Sequence, residues 1–355
     1  MTDFARRTAL KLGLNFVPLL QLLIGALICV QFCVPMCAPV LASSSDGEGT
    51  PRPKTTTASS SAHSLKSPAA ASRLISLAPS NTELLCAIGA KSEIIGVCSF
   101  CDYPRDISKI KPVGTFVSVN MERLCRLKPD FVLLVSGQEM LASQLAHNNF
   151  KTVILDNSHL ANIAKNLKTL GTITGKTDEA NHTATTFEQA LCGLKSVLQT
   201  AGASQEKRPT VFYCVWPQPL MTAGRDSFLN EVITACGGTN IAAEVPSSYP
   251  RFSMEQLVLK NPDVIILPYE ARGQSFLTRA PWTLLKAVKE KRLYYLPDQK
   301  HDTLSRPTIR VLSGMAWLST ILHPERNAEL EAWQKSESYE RALKATGPAI
   351  TPSNH

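Results

Sequence analysis

The side chains in this chain best suited to chemistry are aromatic and polar residues that follow short apolar segments in both halves of the sequence. They are Tyr103, Phe116, Trp216, Tyr249, Arg251, Asp302 and Arg306. Flat aromatic faces desolvate a large ring system at low entropic cost, and a few polar groups then fix its orientation. This combination predicts non-covalent binding of a bulky solute.

Sequence motifs of catalysis are missing. The chain has no Gly-x-Ser-x-Gly elbow, no Gly-x-x-x-x-Gly-Lys phosphate loop, no His-Glu-x-x-His pair and no Gly-x-Gly-x-x-Gly turn. The few histidines lack carboxylate partners at the spacing of a zinc site, so we interpret them as surface residues. The sequence therefore favours a binding protein over an enzyme, with no catalytic cofactor and no metal site.

Charge and cysteine content narrow the function further. The net charge of +8 is spread along the chain rather than gathered in basic runs with interleaved aromatics, which argues against a nucleic-acid partner. Seven of the ten cysteines lie beyond residue 42, and their spacing is not that of a disulfide framework. Cys98 and Cys101 form the one close pair. With no second Cys-x-x-Cys, we interpret most of these cysteines as small apolar core residues rather than redox or metal groups.

Two glutamates occupy matching places in the chain. Glu122 follows Asn120 and Glu255 follows Ser253, and both preceding residues are good helix N-caps. Each carboxylate is favoured there by the helix dipole. A second interpretation is a symmetric pair of surface anions that meets cations on a partner, and the sequence alone leaves both open.

Short apolar strands that alternate with helices predict an α/β protein with mostly parallel sheets. Between the two α/β halves, one long helix from Asp178 to about Ala201 carries an apolar stripe at intervals of three and four residues. The predicted fold is two Rossmann-like lobes joined by one long rigid helix, with a ligand cleft between the lobes. We predict an N-terminal lobe over 72–177, the connecting helix over 178–207, a C-terminal lobe over 208–325, and a C-terminal helix and tail over 326–355.

An internal repeat supports two related lobes. Residues 121–134 and 254–267 share six of fourteen positions at a constant offset of 133. Each copy has the pattern of a helix, a proline-aspartate stop and a buried strand.

The first 71 residues differ in composition from the rest. Arg6, Arg7 and Lys11 precede a long uncharged stretch, which predicts an export signal over 1–42. The Arg6-Arg7 pair resembles that of a twin-arginine signal. Residues 43–71 are rich in Ser, Thr, Pro and Ala and predict a disordered linker. An uncut signal would instead anchor the chain at the outer face of the cytoplasmic membrane.

Residues 73–323 resemble the vitamin B12-binding receptors of ABC importers, a class of periplasmic solute-binding proteins that also includes haem and iron-siderophore receptors. The matching stretches are Arg73-Leu74-Ile75-Ser76-Leu77-Ala78-Pro79-Ser80-Asn81-Thr82-Glu83-Leu84, then 102–104, 113–116, 120–124 and 127–130, and in the second half 223–227, 236–241, 253–257 and 304–307. The resemblance is specific for the class with a helical connection and less specific for the solute.

The resemblance implies an exported, monomeric receptor that captures cobalamin in the periplasm and delivers it to an ABC permease and its ATPase subunits. Tyr103 and Phe116 would contact the solute from one lobe, with Trp216, Tyr249, Asp302 and Arg306 on the other, and Glu122 and Glu255 would dock on the permease. Phe116 and Tyr249 stand where those receptors carry tryptophan. Haem or a ferric siderophore, contacted by Tyr103, His301 or Arg306, therefore stays open as the solute, and a membrane-anchored sensing domain stays open as another class.

Overall fold

The computed structural model describes residues 71–199 and 208–347, which belong to one compact unit. The predicted export signal and the linker up to residue 70 lie outside the described residues. Ala71, predicted as the end of the linker, already belongs to the folded body, because it is buried and its backbone N–H donates to Ile173 O at 2.9 Å. Within the described ranges, no helix combines the length and apolar character needed to cross a membrane.

The N-terminal lobe is built on a five-stranded parallel sheet in the order β3-β2-β1-β4-β5. The strands are β1 Leu74–Ser76, β2 Ile94–Cys98, β3 Pro112–Gly114, β4 Phe131–Val135 and β5 Thr152–Leu155. Its helices are α1 Pro79–Ala87, α2 Met121–Leu127, α3 Glu139–His147 and α4 Leu160–Thr174, with a 3-10 turn at Arg105–Lys109. The residues of β1 and β4 are almost all buried, as expected for central strands of a parallel sheet that helices cover on both faces.

Helix α1 begins close after β1. Pro79, Ser80 and Asn81, whose residue types are typical of a turn, are its first three residues. Proline suits the first helical position because its fixed φ is already helical and its missing N–H would have no partner there. The strand-to-helix connection is therefore very short, and it places the polar side chains of α1 directly after β1.

The connecting helix α5 covers Thr177–Gln199, and residues 200–207 after it are outside the described part of the chain. The predicted stripe is buried at Ala184, Phe187, Leu191 and Leu194. At 1.5 Å per residue the helix is about 35 Å long, enough to run along both lobes. Helix α4 packs against it closely at Gly171, where a Cβ atom would approach that of Ala180 to 2.4 Å.

The C-terminal lobe has a mixed sheet in the order β10-β9-β6-β7, and a short β8 pairs with the start of β6. The strands are β6 Thr210–Pro217, β7 Leu220–Thr222, β8 Thr239–Asn240, β9 Val264–Leu267 and β10 Leu293–Tyr295. Only β7 is antiparallel among these pairings. Its three residues are too few to show a strand pattern in the sequence.

The helices of this lobe are α6 Phe228–Ala235, α7 Met254–Lys260, α8 Lys286–Lys289, α9 Asp298–Ser305 and α10 Val311–Leu322, with 3-10 turns at Tyr269–Ala271, Ser275–Thr278, Trp282–Leu284 and Pro324–Arg326. Two short helices follow, α11 Asn327–Gln334 and α12 Glu337–Lys344. They pack on the connecting helix, where Trp333 donates its indole N–H to Ala190 O at 2.8 Å and stacks edge-on against Tyr339. The end of the chain thus supports the helix that joins the lobes.

The predicted repeat is visible in the structure as two copies of helix, cap and strand. Helices α2 and α7 begin at the side-chain caps Asn120 and Ser253. They end at Lys128 and Asn261, which adopt left-handed conformations with φ of 46° and 40°. Strands β4 and β9 follow, each next to the first strand of its lobe.

The aspartate of each copy has a role beyond ending a helix. Asp130 Oδ2 accepts the backbone N–H groups of Ser72 and Arg73, both at 3.0 Å. Asp263 Oδ2 accepts the N–H and the hydroxyl of Thr210 at 2.8 and 2.7 Å. Each carboxylate therefore fixes the start of β1 or β6 beside the repeated strand.

Asp263 also pairs with Lys286, whose Nζ lies 2.6 Å from Oδ1. Burial alone would raise the pKa of Asp263, but the hydrogen bonds from Lys286 and Thr210 lower it to about 2 from the ordinary 3.8. The stabilisation is therefore complete above the ordinary pKa and is lost as the pH falls through the folded-state value.

We predict that Asp263→Asn lowers the free energy of unfolding by about 2 kcal/mol at pH 7, and that the difference shrinks as the pH falls toward 3. Urea unfolding of both proteins across this pH range measures it. Asp226→Asn, which removes an exposed carboxylate beside Arg225, is the control and should change stability by less than about 0.5 kcal/mol. Equal stability of D263N and the unchanged protein at pH 7 would contradict the prediction.

Candidate functional site

The carboxyl ends of the two sheets face each other. Helix α1 follows β1, the loop 99–104 follows β2, and the segment 296–310 follows β10 in the other lobe. Side chains from these three places meet across the lobes, as the contacts below show. Ligands of open α/β sheets bind outside the carboxyl ends of the strands, so this is where a solute site is expected.

Arg306 is the centre of the contact between the lobes. Its Nη1 donates to Asp102 Oδ1 at 2.6 Å and to Glu83 Oε1 at 3.0 Å, and both carboxylates belong to the N-terminal lobe. Its Nη2 lies 3.1 Å from Oδ2 of Asp302, four residues earlier in the same lobe. We call Glu83, Asp102, Asp302, Arg306 and Arg310 the lobe bridge.

Glu83 is the most buried member of the lobe bridge, with 3% of its side chain exposed. Its Oε1 accepts from Arg310 at 3.1 Å as well as from Arg306, and its Oε2 accepts from the Thr308 hydroxyl at 3.0 Å. Burial raises the pKa of Glu83, whereas the charges of Arg310 and Arg306 act in the opposite direction. A carboxylate in this position depends on both cations, because an unpaired buried charge is strongly destabilising.

Tyr103 joins the same region. Its side chain is buried, and the guanidinium of Arg310 lies 3.8 Å from the centre of its ring. A cation over the ring face is an attractive arrangement. One face of Tyr103 is therefore covered from the opposite lobe, and with 6% of the residue exposed little of the ring is accessible to a solute.

The lobe bridge contains three carboxylates and two guanidinium groups, a formal sum of −1 (2 − 3). Burial alone would lower the pKa of Arg306, but the hydrogen bonds that it donates to Asp102 and the charges of Asp302, Glu83 and Asp102 raise it, so Arg306 stays a cation. Because three carboxylates already surround Arg306, the bridge does not present it to an anionic solute.

Phe116 lies on a tight turn after β3. Thr115 N–H donates to Ser118 O at 2.7 Å, and a Cβ atom on Gly114 would stand 2.2 Å from that same oxygen, so only glycine fits. The buried Gln138 holds the turn against the sheet, with its Nε2 2.5 Å from Phe116 O and its Oε1 2.9 Å from Val135 N. The half-buried Phe116 ring thus stands on a well-fixed backbone.

Trp216 lies near the end of β6 in the other lobe and is half-buried. Its indole N–H donates to Gln218 O at 2.7 Å, which fixes the plane of the ring. Phe116 and Trp216 are each held by their own lobe, while Tyr103, Asp302 and Arg306 are brought together at the lobe bridge.

Tyr249 lies on the segment after β8, and 40% of it is exposed. The segment packs tightly on Gly224, where a Cβ atom would lie 2.1 Å from Ser247 O, and Arg251 at its end pairs with Met221 of β7. Burial raises the pKa of Tyr249.

The fully buried Tyr213 lies within electrostatic reach of Tyr249. Burial raises the pKa of Tyr213, and Tyr249, Cys214 and Asp302 raise it further. Its hydroxyl has no hydrogen-bond partner among the described atoms. Tyr213, Tyr249 and Asp302 therefore share one region of the C-terminal lobe.

The sequence analysis did not assign roles to Glu83, Asp102, Arg310 or Gln138. Glu83 had a signal, since a carboxylate amid the apolar residues of a short helix requires a buried partner. Gln138 had none, because a lone glutamine after a strand is ordinary in a loop. The side chain of His301, an alternative solute contact, lies outside the described residues.

Glu122 and Glu255 lie in the first turns of the matching helices α2 and α7, and both are exposed. Arg126 Nη2 lies 2.5 Å from Glu122 Oε1. Hydrogen bonds from its own backbone and from Ser253 lower the pKa of Glu255. The position that corresponds to Arg126 is Leu259, which is 83% exposed, so the two glutamates differ in their surroundings.

The family model for periplasmic binding proteins matches residues 74–300. The chain belongs to this family. It is 34% identical over 204 residues to the vitamin B12-binding protein of Salmonella paratyphi A, an alignment that covers 57% of this chain and 74% of that protein. Among solved structures, the periplasmic vitamin B12-binding protein of Vibrio cholerae has a TM-score of 0.64 at 27% identity, over 75% of this chain and 99% of that one. A periplasmic haem-binding protein from a Roseiflexus species has a TM-score of 0.62 at 20% identity, over 72% and 98%, and shows the fold alone.

These comparisons confirm the two-lobed α/β fold and the class of the protein. It is the solute-binding component of an ABC importer, and its relatives are binding proteins of transporters rather than enzymes. Binding proteins of this family are exported and work with a permease and an ATPase.

We predict that Glu83→Ala lowers the free energy of unfolding by about 3–5 kcal/mol, because it leaves two buried guanidinium groups without their shared partner. Urea unfolding followed by tryptophan fluorescence measures the loss, and Glu83→Gln, which keeps one acceptor oxygen, should lose less. Glu188→Ala removes an exposed pair with Lys168 at 3.7 Å and serves as the control, with an effect below about 0.5 kcal/mol. Unchanged stability of E83A would show that the contacts of Glu83 in the lobe bridge make no net contribution to the free energy of unfolding.

Proposed function

We propose that this protein captures cobalamin, or a closely related corrinoid, outside the cytoplasmic membrane and delivers it to the permease of its importer. The proposal rests on the aromatic residues at the carboxyl ends of both sheets and on the state of Arg306. It is supported by the similarity to proteins named for vitamin B12 binding.

The engagement of Arg306 is the observation that carries the choice of solute. Haem has carboxylate side chains and ferric siderophores are commonly anionic, so receptors for them need available cations. Here Asp102, Glu83 and Asp302 all contact Arg306, and the lobe bridge sums to a negative charge. A corrin ring is bordered by amides, which accept and donate hydrogen bonds without requiring a cation.

The aromatic side chains supply the apolar part of the site. Phe116 from one lobe and Trp216 and Tyr249 from the other are fixed by backbone contacts at Gln138, Gln218 and Gly224. Side chains that are already ordered lose little freedom on binding, so their contact area contributes more fully to affinity. Tyr103, which is buried against Arg310, takes part in this proposal at the edge of the site.

Only small movements of the lobes accompany binding in this proposal. A long helix joins the lobes, and the lobe bridge connects them a second time at Glu83 and Arg306. Hinge closure needs connecting segments that absorb large changes in backbone angles, and a helix packed along both lobes resists them.

Docking on the permease is proposed through the exposed glutamates of α2 and α7. Glu122 shares a shallow surface depression of about 480 Å³ with three cations, Lys111, Arg123 and Arg126. A cationic partner surface is therefore attracted less by Glu122 than by Glu255. The exposed Leu259, one turn after Glu255, adds an apolar contact on that side only.

The chain is proposed to act as an exported monomer. The predicted signal over 1–42 delivers it to the periplasm, or holds it at the outer face of the membrane if the signal is uncut. In either case the folded body meets both the solute and the permease on the same side of the membrane.

We predict that the protein binds cyanocobalamin one-to-one, and that Phe116→Ala and Trp216→Ala each weaken binding by about 10- to 100-fold through the loss of buried aromatic contact. Calorimetric titration measures both effects. Leu284→Ala, which truncates an apolar side chain that is 56% exposed, is the control and should bind like the unchanged protein. Unaltered affinity of folded F116A and W216A would contradict the aromatic site.

Parallel titrations with haem and a ferric siderophore distinguish the remaining solutes. Tight binding of either one without cobalamin binding would retain the receptor class and replace the solute. Failure with all three would retain the importer class and indicate another solute.

We predict that Glu255→Lys reduces cobalamin uptake by at least about tenfold, since like charges then face each other at the permease. Glu122→Lys should cause a smaller loss, because Arg126 already neutralises that carboxylate. Uptake of labelled cobalamin by cells that lack another receptor measures this, with solute affinity checked in parallel. Glu331→Lys on α11 is the control for a charge reversal elsewhere. Normal uptake with both variants would exclude docking through these helices.

A further inference from the structure

Two buried thiols lie side by side at the end of β2. The sulfur atoms of Cys98 and Cys101 are 3.4 Å apart, and the two residues are only 1% and 7% exposed. A disulfide bond brings two sulfurs to about 2.0 Å, so a small side-chain movement would join them. Burial in a core explains each cysteine alone but does not explain why the two sulfurs face each other.

The surroundings of this dithiol connect it to the lobe bridge. Thr82 Oγ1 lies 3.1 Å from Cys101 Sγ, and Thr82 directly precedes Glu83 in α1. Asp102 directly follows Cys101, and its carboxylate receives Arg306 from the other lobe at 2.6 Å. The dithiol is thus adjacent in sequence to Asp102, and through Thr82 it contacts the helix that carries Glu83.

The thiols also differ in acidity. The hydrogen bond from the Cys101 thiol lowers the pKa of Cys98, and the same bond, together with burial, raises the pKa of Cys101. The thiol with the lowered pKa, Cys98, is the better attacking group in thiol–disulfide exchange.

We propose that Cys98 and Cys101 form a disulfide bond in the exported protein, a modification site that closes the Cys98-Ser99-Phe100-Cys101 loop and fixes Asp102 and Tyr103 for contact with Arg306 and Arg310.

The oxidant is a disulfide of a protein or a small thiol in the compartment outside the cytoplasm. The Cys98 thiolate attacks one sulfur of that disulfide, whose other sulfur leaves as a thiol and takes the Cys98 proton. The Cys101 sulfur then attacks Cys98 Sγ in the mixed disulfide, loses its own proton and releases the second thiol. One sulfur–sulfur bond breaks and one forms, and the two electrons lost by the cysteines reduce the oxidant.

Burial of the two sulfurs limits when the exchange can take place. Because both sulfurs are inaccessible in the packed lobe, the exchange requires a lobe that is not yet packed or that has opened locally, and the bond is then shielded from reductants. The closed loop restricts the backbone that leads to Asp102, so the carboxylate is already in position when the lobes meet.

The test is differential alkylation of the full chain, recovered after export by its own signal. The protein is unfolded in denaturant without reductant and treated with iodoacetamide, then reduced and treated with N-ethylmaleimide. Trypsin releases residues 92–105 as one peptide that contains Cys98 and Cys101 and no other cysteine. We expect both cysteines of this peptide to carry N-ethylmaleimide, and the unreduced peptide to be lighter by two hydrogen atoms.

Cys236 is the internal control, because its thiol is buried beside Met315 O and should carry iodoacetamide in the same sample. In a Cys101→Ser variant, Cys98 should change from the second label to the first. Iodoacetamide on both Cys98 and Cys101 of the exported protein would overturn the proposal, as would their linkage to other cysteines. The outcome depends on export and is independent of which solute binds, so it is separate from the cobalamin titration.

Discussion

The arrangement of the two lobes depends on one carboxylate buried between two guanidinium groups. Glu83 belongs to the first helix of the described residues, and Arg306 and Arg310 lie after the last strand of the second lobe. Without these two arginines Glu83 would be an unpaired buried charge, so their pairing selects one relative position of the lobes. The connecting helix α5 fixes the distance, and the lobe bridge fixes the orientation.

Much of the fold could be predicted because it follows from local patterns. These patterns are the apolar stripe of α5, the short buried strands and the repeat at offset 133. Each is visible within a short stretch of sequence, and the structure has the corresponding helices and strands. Three features could not be predicted this way. The start of α1 at Pro79 falls on residue types that are typical of a turn, β7 is too short to show a strand pattern, and the contact of Asp263 with Thr210 joins residues 53 positions apart.

The site shows the same limit. Residue type and position indicated Phe116, Trp216 and Tyr249, because aromatic residues after strands are visible in a sequence. Two of the three carboxylates around Arg306, Glu83 and Asp102, lie more than two hundred residues away in sequence, so these contacts could not be predicted from the sequence. With three carboxylates around it, Arg306 is a structural charge rather than a candidate contact for an anionic solute. In addition, Arg310 covers one face of Tyr103.

The packing of the last helices on α5 has a consequence for the order in which the molecule is completed. Trp333 and Tyr339, near the end of the chain, cover a helix whose residues are synthesised more than a hundred positions earlier. The N-terminal lobe has all its strands long before then and can fold as a unit. The packing around the connecting helix α5 is therefore completed last. A nascent or truncated chain would have a folded N-terminal lobe next to a helix that lacks its final packing partners.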